Sequence, residues 1–143
     1  MSRLARWLRL MGADVICDPN LNGAQLLRLA RAQNRVMLTR DKRLRTAFDV
    51  LFLESDNFRD QLRQVMARFP FDPALRSFTR CLRCNQPLVA VSREIVQRRV
   101  PPFVYASTDR FAECGGCGRI YWPATHTERA RRALEALGII SPS

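Results

Sequence analysis

Cys81-Leu82-Arg83-Cys84 and, 29 residues later, Cys114-Gly115-Gly116-Cys117 decide how the second half of this chain is read. A Cys-x-x-Cys pair places two thiolates on one tight turn. Two such pairs supply the four soft ligands of a closed tetrahedral zinc site. Gly118 follows the second pair and lets the backbone fold round a metal. The interval between the pairs exceeds the usual ribbon spacing, so it is expected to carry structure of its own. The same cysteines could instead form two disulfides or be separate buried thiols. No signal peptide precedes them, which predicts a reducing, cytoplasmic setting where such pairs hold metal. Four thiolates leave a zinc ion no open position, so Zn²⁺ at Cys81, Cys84, Cys114 and Cys117 is expected to be structural.

The 143-residue chain holds 24 Lys and Arg against 13 Asp and Glu, a formal net charge of +11, and Lys42 is its one lysine. Such a surface attracts polyanions, and RNA or DNA is the expected partner. A strong Arg-for-Lys bias can also arise from coding-sequence composition. No apolar run approaches the roughly 20 residues of a membrane span, so no membrane is expected.

Leu4, Trp7, Leu8 and Met11 recur at helical spacing, with Arg3, Arg6 and Arg9 on another face and Gly12 as the stop. That arginine stripe reads either as a solvated face or as a phosphate-binding one. Ala13 to Cys17 is a strand candidate, with Cys17 as a small buried hydrophobe. A helix is expected from Gly23 to about Gln33, a buried strand at Val36–Thr39, a short helix after Asp41 and a further strand at Val50–Leu53. A helix over Phe58–Phe69, capped by Ser55 or Asp56, ends at Pro70. Strand–helix alternation predicts a parallel sheet with helices on both faces. Asp18, Asp41, Glu54 and Asp56 then lie at the carboxyl ends of strands, where such sheets build their sites. Grouped carboxylates suit Mg²⁺ or Mn²⁺ and hydrolytic phosphoryl chemistry; the bland reading is that strand ends are polar and that Asp56 caps a helix.

Pro70 to Ser77 reads as a boundary, giving a first domain over 1–72 and a second over 78–143. In the second, Ser92 starts a short helix through Arg99, Val100-Pro101-Pro102 breaks it, and Ile120-Tyr121-Trp122 reads as a strand. Thr125 and Glu128 fit a capping box that opens a last helix. His126, the one histidine, reads as a helix-start residue beside Tyr121 and Trp122, and those aromatics read as core before base-stacking platforms.

Arg3 to Gly12, Leu38-Thr39-Arg40-Asp41, Leu53-Glu54-Ser55-Asp56, Arg80 to Asn85 and Cys117 to Pro123 together resemble the RNase domain named from the C-terminus of the Mut-seven exonuclease. The resemblance implies an α/β PIN-like domain, followed by a zinc ribbon, that cleaves RNA with metal and a cluster of acids. It makes Asp41 the leading catalytic candidate, with Asp18 and Asp56 assisting and Arg40 meeting phosphate. It also implies a first strand, ending in Asp, ahead of the Arg3–Gly12 helix, and an acid near the start of the second helix. The sequence begins at Met1, and it offers Asn20, Asn22, Gly23 and Gln25 at the second place. A parallel sheet without that strand is expected to expose an edge that an upstream segment or a protein partner fills. Two functions follow: a metal-dependent RNase, with Arg3, Arg6, Arg9 and Arg40 on RNA, or an RNA-binding zinc-ribbon module whose nuclease site has decayed. A protein-binding adaptor is a third.

Overall fold

The computed structural model describes residues 2–70, 78–123 and 125–139, the last stretch with side chains from Glu128 onward. It is a mixed α/β protein of two compact units. One comprises Met1–Ala5 and Ile16–Pro70, and the other Arg6–Val15 and Phe71–Ser143. Residues 6–15 thus pack with the cysteine-bearing half. Helix α1 (Arg3–Leu10) buries Leu4, Ala5 and Leu8, and Met11 just beyond it is fully buried. Gly12 ends the helix at φ 91°, where its N–H reaches the Arg9 carbonyl and that of Ala13 the Leu8 carbonyl.

In the first unit, α2 (Gly23–Ala32) opens on a reciprocal capping box. The Gln25 N–H donates to Asn22 Oδ1 at 2.9 Å, and the Asn22 N–H donates to Gln25 Oε1 at 3.0 Å. Strands β1 (Met37–Thr39) and β2 (Val50–Phe52) pair in parallel, Leu38 opposite Leu51. Between them Asp41 caps a 3-10 turn at Lys42–Leu44. Helix α3 (Phe58–Arg68) follows; Ala30, Met37, Phe52, Leu53, Leu62 and Val65 are buried. Its N-cap is Asn57, whose Oδ1 accepts from the Arg59 and Asp60 N–H groups. Neither Ser55 nor Asp56 takes that place; Ser55 Oγ instead accepts from the Asn57 N–H, one residue upstream of the helix.

No strand forms over residues 13–17, contrary to the sequence reading. The reason is local. The Val15 carbonyl accepts from Arg9 Nε at 2.8 Å, and the Val15 N–H donates to Asn85 Oδ1 at 3.0 Å. Side chains take the bonds a neighbouring strand would have taken. Among the described residues the parallel sheet therefore has two strands, and β1 and β2 are each paired on one side.

In the second unit, β3 (Leu88–Val91), β4 (Phe111–Cys114) and β5 (Ile120–Tyr121) form an antiparallel sheet in that order, Leu88 opposite Cys114 and Ala112 opposite Tyr121. The long interval between the cysteine pairs does carry structure: α4 (Arg93–Val96) and α5 (Pro102–Ser107). Val96, Val100, Val104 and Phe111 make a small core there, with Val91, Tyr105, Ile120 and Trp122 packed on it. Helix α6 (Thr125–Ala136) buries Leu134. All but Pro70 of the boundary expected over Pro70 to Ser77, the Thr125 cap and the His126 side chain lie outside the described residues. No helix among the described residues is long and apolar enough to cross a membrane.

Candidate functional site

The two cysteine turns are built alike. In the first, the Asn85 N–H donates to the Cys81 carbonyl at 2.9 Å, and the Cys81 N–H to the Gln86 carbonyl at 2.8 Å. In the second, Gly118 and Cys114 repeat the first of these at 2.8 Å, and Cys114 and Arg119 the second at 3.0 Å. The fifth residue of each turn must enter the left-handed region, at φ 64° for Asn85 and 74° for Gly118. Asparagine and glycine tolerate that region best, which explains both choices. The Cys84 N–H points at Cys81 Sγ (3.3 Å) and the Cys117 N–H at Cys114 Sγ (3.4 Å), so each leading sulfur accepts a main-chain hydrogen bond.

These turns bring the four Sγ atoms within 4.8 Å of one another. Cys81 Sγ lies 3.8 Å from Cys117 Sγ. A tetrahedral zinc with bonds of about 2.3 Å sets sulfur–sulfur edges near 3.8 Å, so the four ligands fit a metal ion such as zinc. A disulfide needs sulfurs about 2 Å apart, and all five cysteines are free in this structure. Cys81 and Cys114 are fully buried, and Cys117 is exposed. Cys17 is half-buried and stands apart from this group.

Tyr121 completes the centre. Its hydroxyl lies 3.1 Å from Cys81 Sγ and accepts from the Leu82 N–H at 3.1 Å. Burial pushes the Cys81 thiol up, but the Tyr121 hydroxyl and backbone N–H groups of Cys84 and Arg83 outweigh it, bringing the thiol to about 6. Cys84 is pushed up to about 12, first by its bond to Cys117 and then by burial and the neighbouring thiolates. Tyr121 is pushed up to about 12 by burial and by Cys81, so it stays a neutral donor. Tyr121→Phe removes that donor and leaves the Leu82 N–H without its acceptor. It is expected to destabilise the metal-loaded unit by about 1–3 kcal/mol. Thermal melts and a chelator competition measure this; an unchanged pair of values would show the hydroxyl to be irrelevant.

A second set of side chains braces the first cysteine turn. Arg9, 5% exposed, donates through Nη1 to the carbonyls of Leu82 (2.9 Å) and Arg83 (3.3 Å), besides its bond to Val15. Asn85 donates to Asp14 Oδ1 at 2.6 Å. Arg80 reaches the Gly12 carbonyl at 3.2 Å and the Asn85 carbonyl at 2.6 Å. The arginine stripe on α1 is thus divided. Arg6 is exposed. Arg3 is exposed too, with its guanidinium 3.7 Å over the Phe58 ring. Arg9 is turned inward on main-chain carbonyls. Sequence reading passed over Arg80, Asn85 and Tyr121 as centre-building residues; the left-handed position shared by Asn85 and Gly118 was the available signal.

The acids stand differently. Asp41, at the end of β1, accepts from the Arg43 N–H (3.0 Å), Nε (3.0 Å) and Nη2 (2.8 Å). These bonds to Arg43 hold its carboxyl below the ordinary aspartate range. Asp18 is exposed and accepts from the Asn20 N–H, and Asp56 is exposed. Glu54 pairs with Arg45. Arg40 donates to the Leu53 carbonyl at 2.6 Å. Among the described residues the four cysteines are the one group of metal-ligating side chains that converges; Asp18, Asp41 and Asp56 do not.

Searches of curated proteins and of solved structures found no significant match. A family model described as Mut7-C RNAse domain matches residues 1–134, and it takes in both cysteine pairs and the Thr39-Arg40-Asp41 turn. The chain belongs to the Mut7-C RNAse domain family.

Proposed function

We propose that this protein is a metal-dependent ribonuclease of PIN-like architecture, cytoplasmic, with a structural zinc ribbon that helps hold RNA. Membership of a family described as an RNase domain carries this reading. Asp41 is the central acid, with Asp18 and Asp56 assisting. Magnesium and manganese sites often use one or two carboxylates and complete the shell with waters and substrate phosphate, so they need no closed protein cage. A divalent ion there would supply charge neutralisation on the phosphate and polarisation of an attacking water. Asp41 must first release Arg43, whose side chain is 88% exposed. Solvent screens such exposed pairs, so that release costs little. Arg3 and Arg40 offer cations for the RNA backbone on this unit, and Arg6 offers one on the other. The open edges of β1 and β2 suit a strand supplied by another segment or partner.

The test is cleavage of labelled single-stranded RNA with Mn²⁺. Asp41→Asn is expected to lose about a hundredfold in rate, the scale on which one transition-state electrostatic contact acts. Cleavage that persists in the variant would move the site away from Asp41. The unconverged acids favour a second reading, an RNA-binding module with a decayed nuclease site. Binding without cleavage in both proteins would select it.

A further inference from the structure

Beside the second cysteine turn lies a hollow of about 410 Å³, open to solvent and lined by Arg83, Arg99, Cys117, Arg119, Ile120 and Trp122. Sites for small ligands occupy roughly 300–1,000 Å³, so the hollow can admit a nucleotide. We propose that it binds one nucleotide of single-stranded RNA, its base against Trp122 and Ile120 and its phosphate on Arg83 and Arg119. This rests on RNA being the partner, as proposed above.

The wall is rigid where the ligand would need it. Trp122 leans on Phe111 at 6.5 Å between ring centroids and packs on the small core with one part of its surface, while another faces the hollow. Arg99 is committed, one nitrogen to Glu113 and another to the Gly118 carbonyl. The side chains of Arg83 and Arg119 are exposed, and neither side chain makes a hydrogen bond or ion pair with a described residue. Their main chains are nevertheless fixed. The Arg83 carbonyl accepts from Arg9, and the Arg119 carbonyl accepts from the Cys114 N–H. Two cations on fixed stems thus flank an aromatic face, the combination by which proteins hold unpaired nucleotides. The competing role is neutralisation of metal-bound thiolates, which form a net dianion round zinc. That role explains two arginines beside Cys117. It does not explain an open hollow with an indole and an aliphatic wall.

The test uses the zinc-loaded full chain and a labelled ten-residue oligouridylate. Arg83→Gln with Arg119→Gln is expected to weaken binding about tenfold and to lower the salt slope by about 0.7, the loss of the one single-strand phosphate that both cations hold. Arg98→Gln with Arg110→Gln, an equal change of charge at exposed positions outside the hollow, is expected to stay within about twofold. Oligouridylate is expected to quench tryptophan emission in the parent and not in the Arg83 and Arg119 pair. Zinc content and melting temperature are read on every variant; Arg119→Gln alone, outside the Cys-x-x-Cys interval, is expected to show about half the logarithmic loss. Equal weakening by both pairs overturns the nucleotide site and leaves RNA binding standing as diffuse charge. Inorganic tripolyphosphate competing as well as RNA, phosphate for phosphate, reduces the hollow to an anion site and overturns the role of Trp122. Failure of the parent chain to bind RNA at low salt overturns the RNA reading itself.

Discussion

Cys114→Ser protein is expected to hold no zinc and to lose the cooperative fold of its second unit. Cys114 is fully buried, is a ligand candidate with N–H groups of Gly116 and Cys117 aimed at its sulfur, and closes β4 opposite Leu88. The apolar cluster between the cysteine pairs is small, four buried side chains with four half-buried neighbours. Structural zinc contributes about 10–16 kcal/mol of apparent binding free energy in small zinc domains, more than a typical domain's whole net stability. Chelation of the parent protein should reproduce the variant, and added zinc should reverse it. Metal analysis is expected to return one zinc per parent chain and none in the variant. A parent chain purified without chelator that contains no zinc, and still melts cooperatively, would sink the assignment. Loss of affinity on acidification follows in sign: binding displaces thiol protons, and Cys84 is held up at about 12, so falling pH favours the metal-free form.

Arg9→Met is expected to cost about 3–5 kcal/mol, because three hydrogen bonds from a buried guanidinium vanish together and main-chain carbonyls are left without their donor. Methionine keeps much of the stem's packing, so the loss reports the polar head. Arg9→Lys keeps the charge but cannot fork to three carbonyls and is expected to recover less than half. Both should lower the melting temperature, Arg9→Met by on the order of 10 °C for a chain of this size. RNA affinity of the folded fraction should change less than twofold. A variant that melts normally but binds RNA tenfold more weakly would restore Arg9 to the phosphate-binding face that its spacing with Arg3 and Arg6 suggested.

The Arg9 result shows where sequence reading stopped. Helical spacing correctly set Leu4, Leu8 and Met11 on a buried face, because a helix repeats every few residues and its pattern is local. The same spacing grouped Arg9 with Arg3 and Arg6, since charge alone does not say whether an arginine meets water or carbonyls. The acceptors that draw it inward come from Leu82 and Arg83, more than 70 residues away. The strand expected over 13–17 failed for the same reason: its bonds were taken by Arg9 and Asn85.

By itself the sequence determined the four cysteines that converge, the two parallel strands, α2 and α3, and the family. Each rests on short-range pattern: two thiols three residues apart, an apolar run, a helical repeat. Tertiary structure alone decided that residues 6–15 pack with the cysteine half, that Asn57 caps α3, and that Tyr121 bonds Cys81. It also decided that Asp18, Asp41 and Asp56 stand apart while Arg83, Arg119 and Trp122 share one hollow. Which distant backbone group a side chain reaches is a property of closed loops, and closure is set by the packed fold.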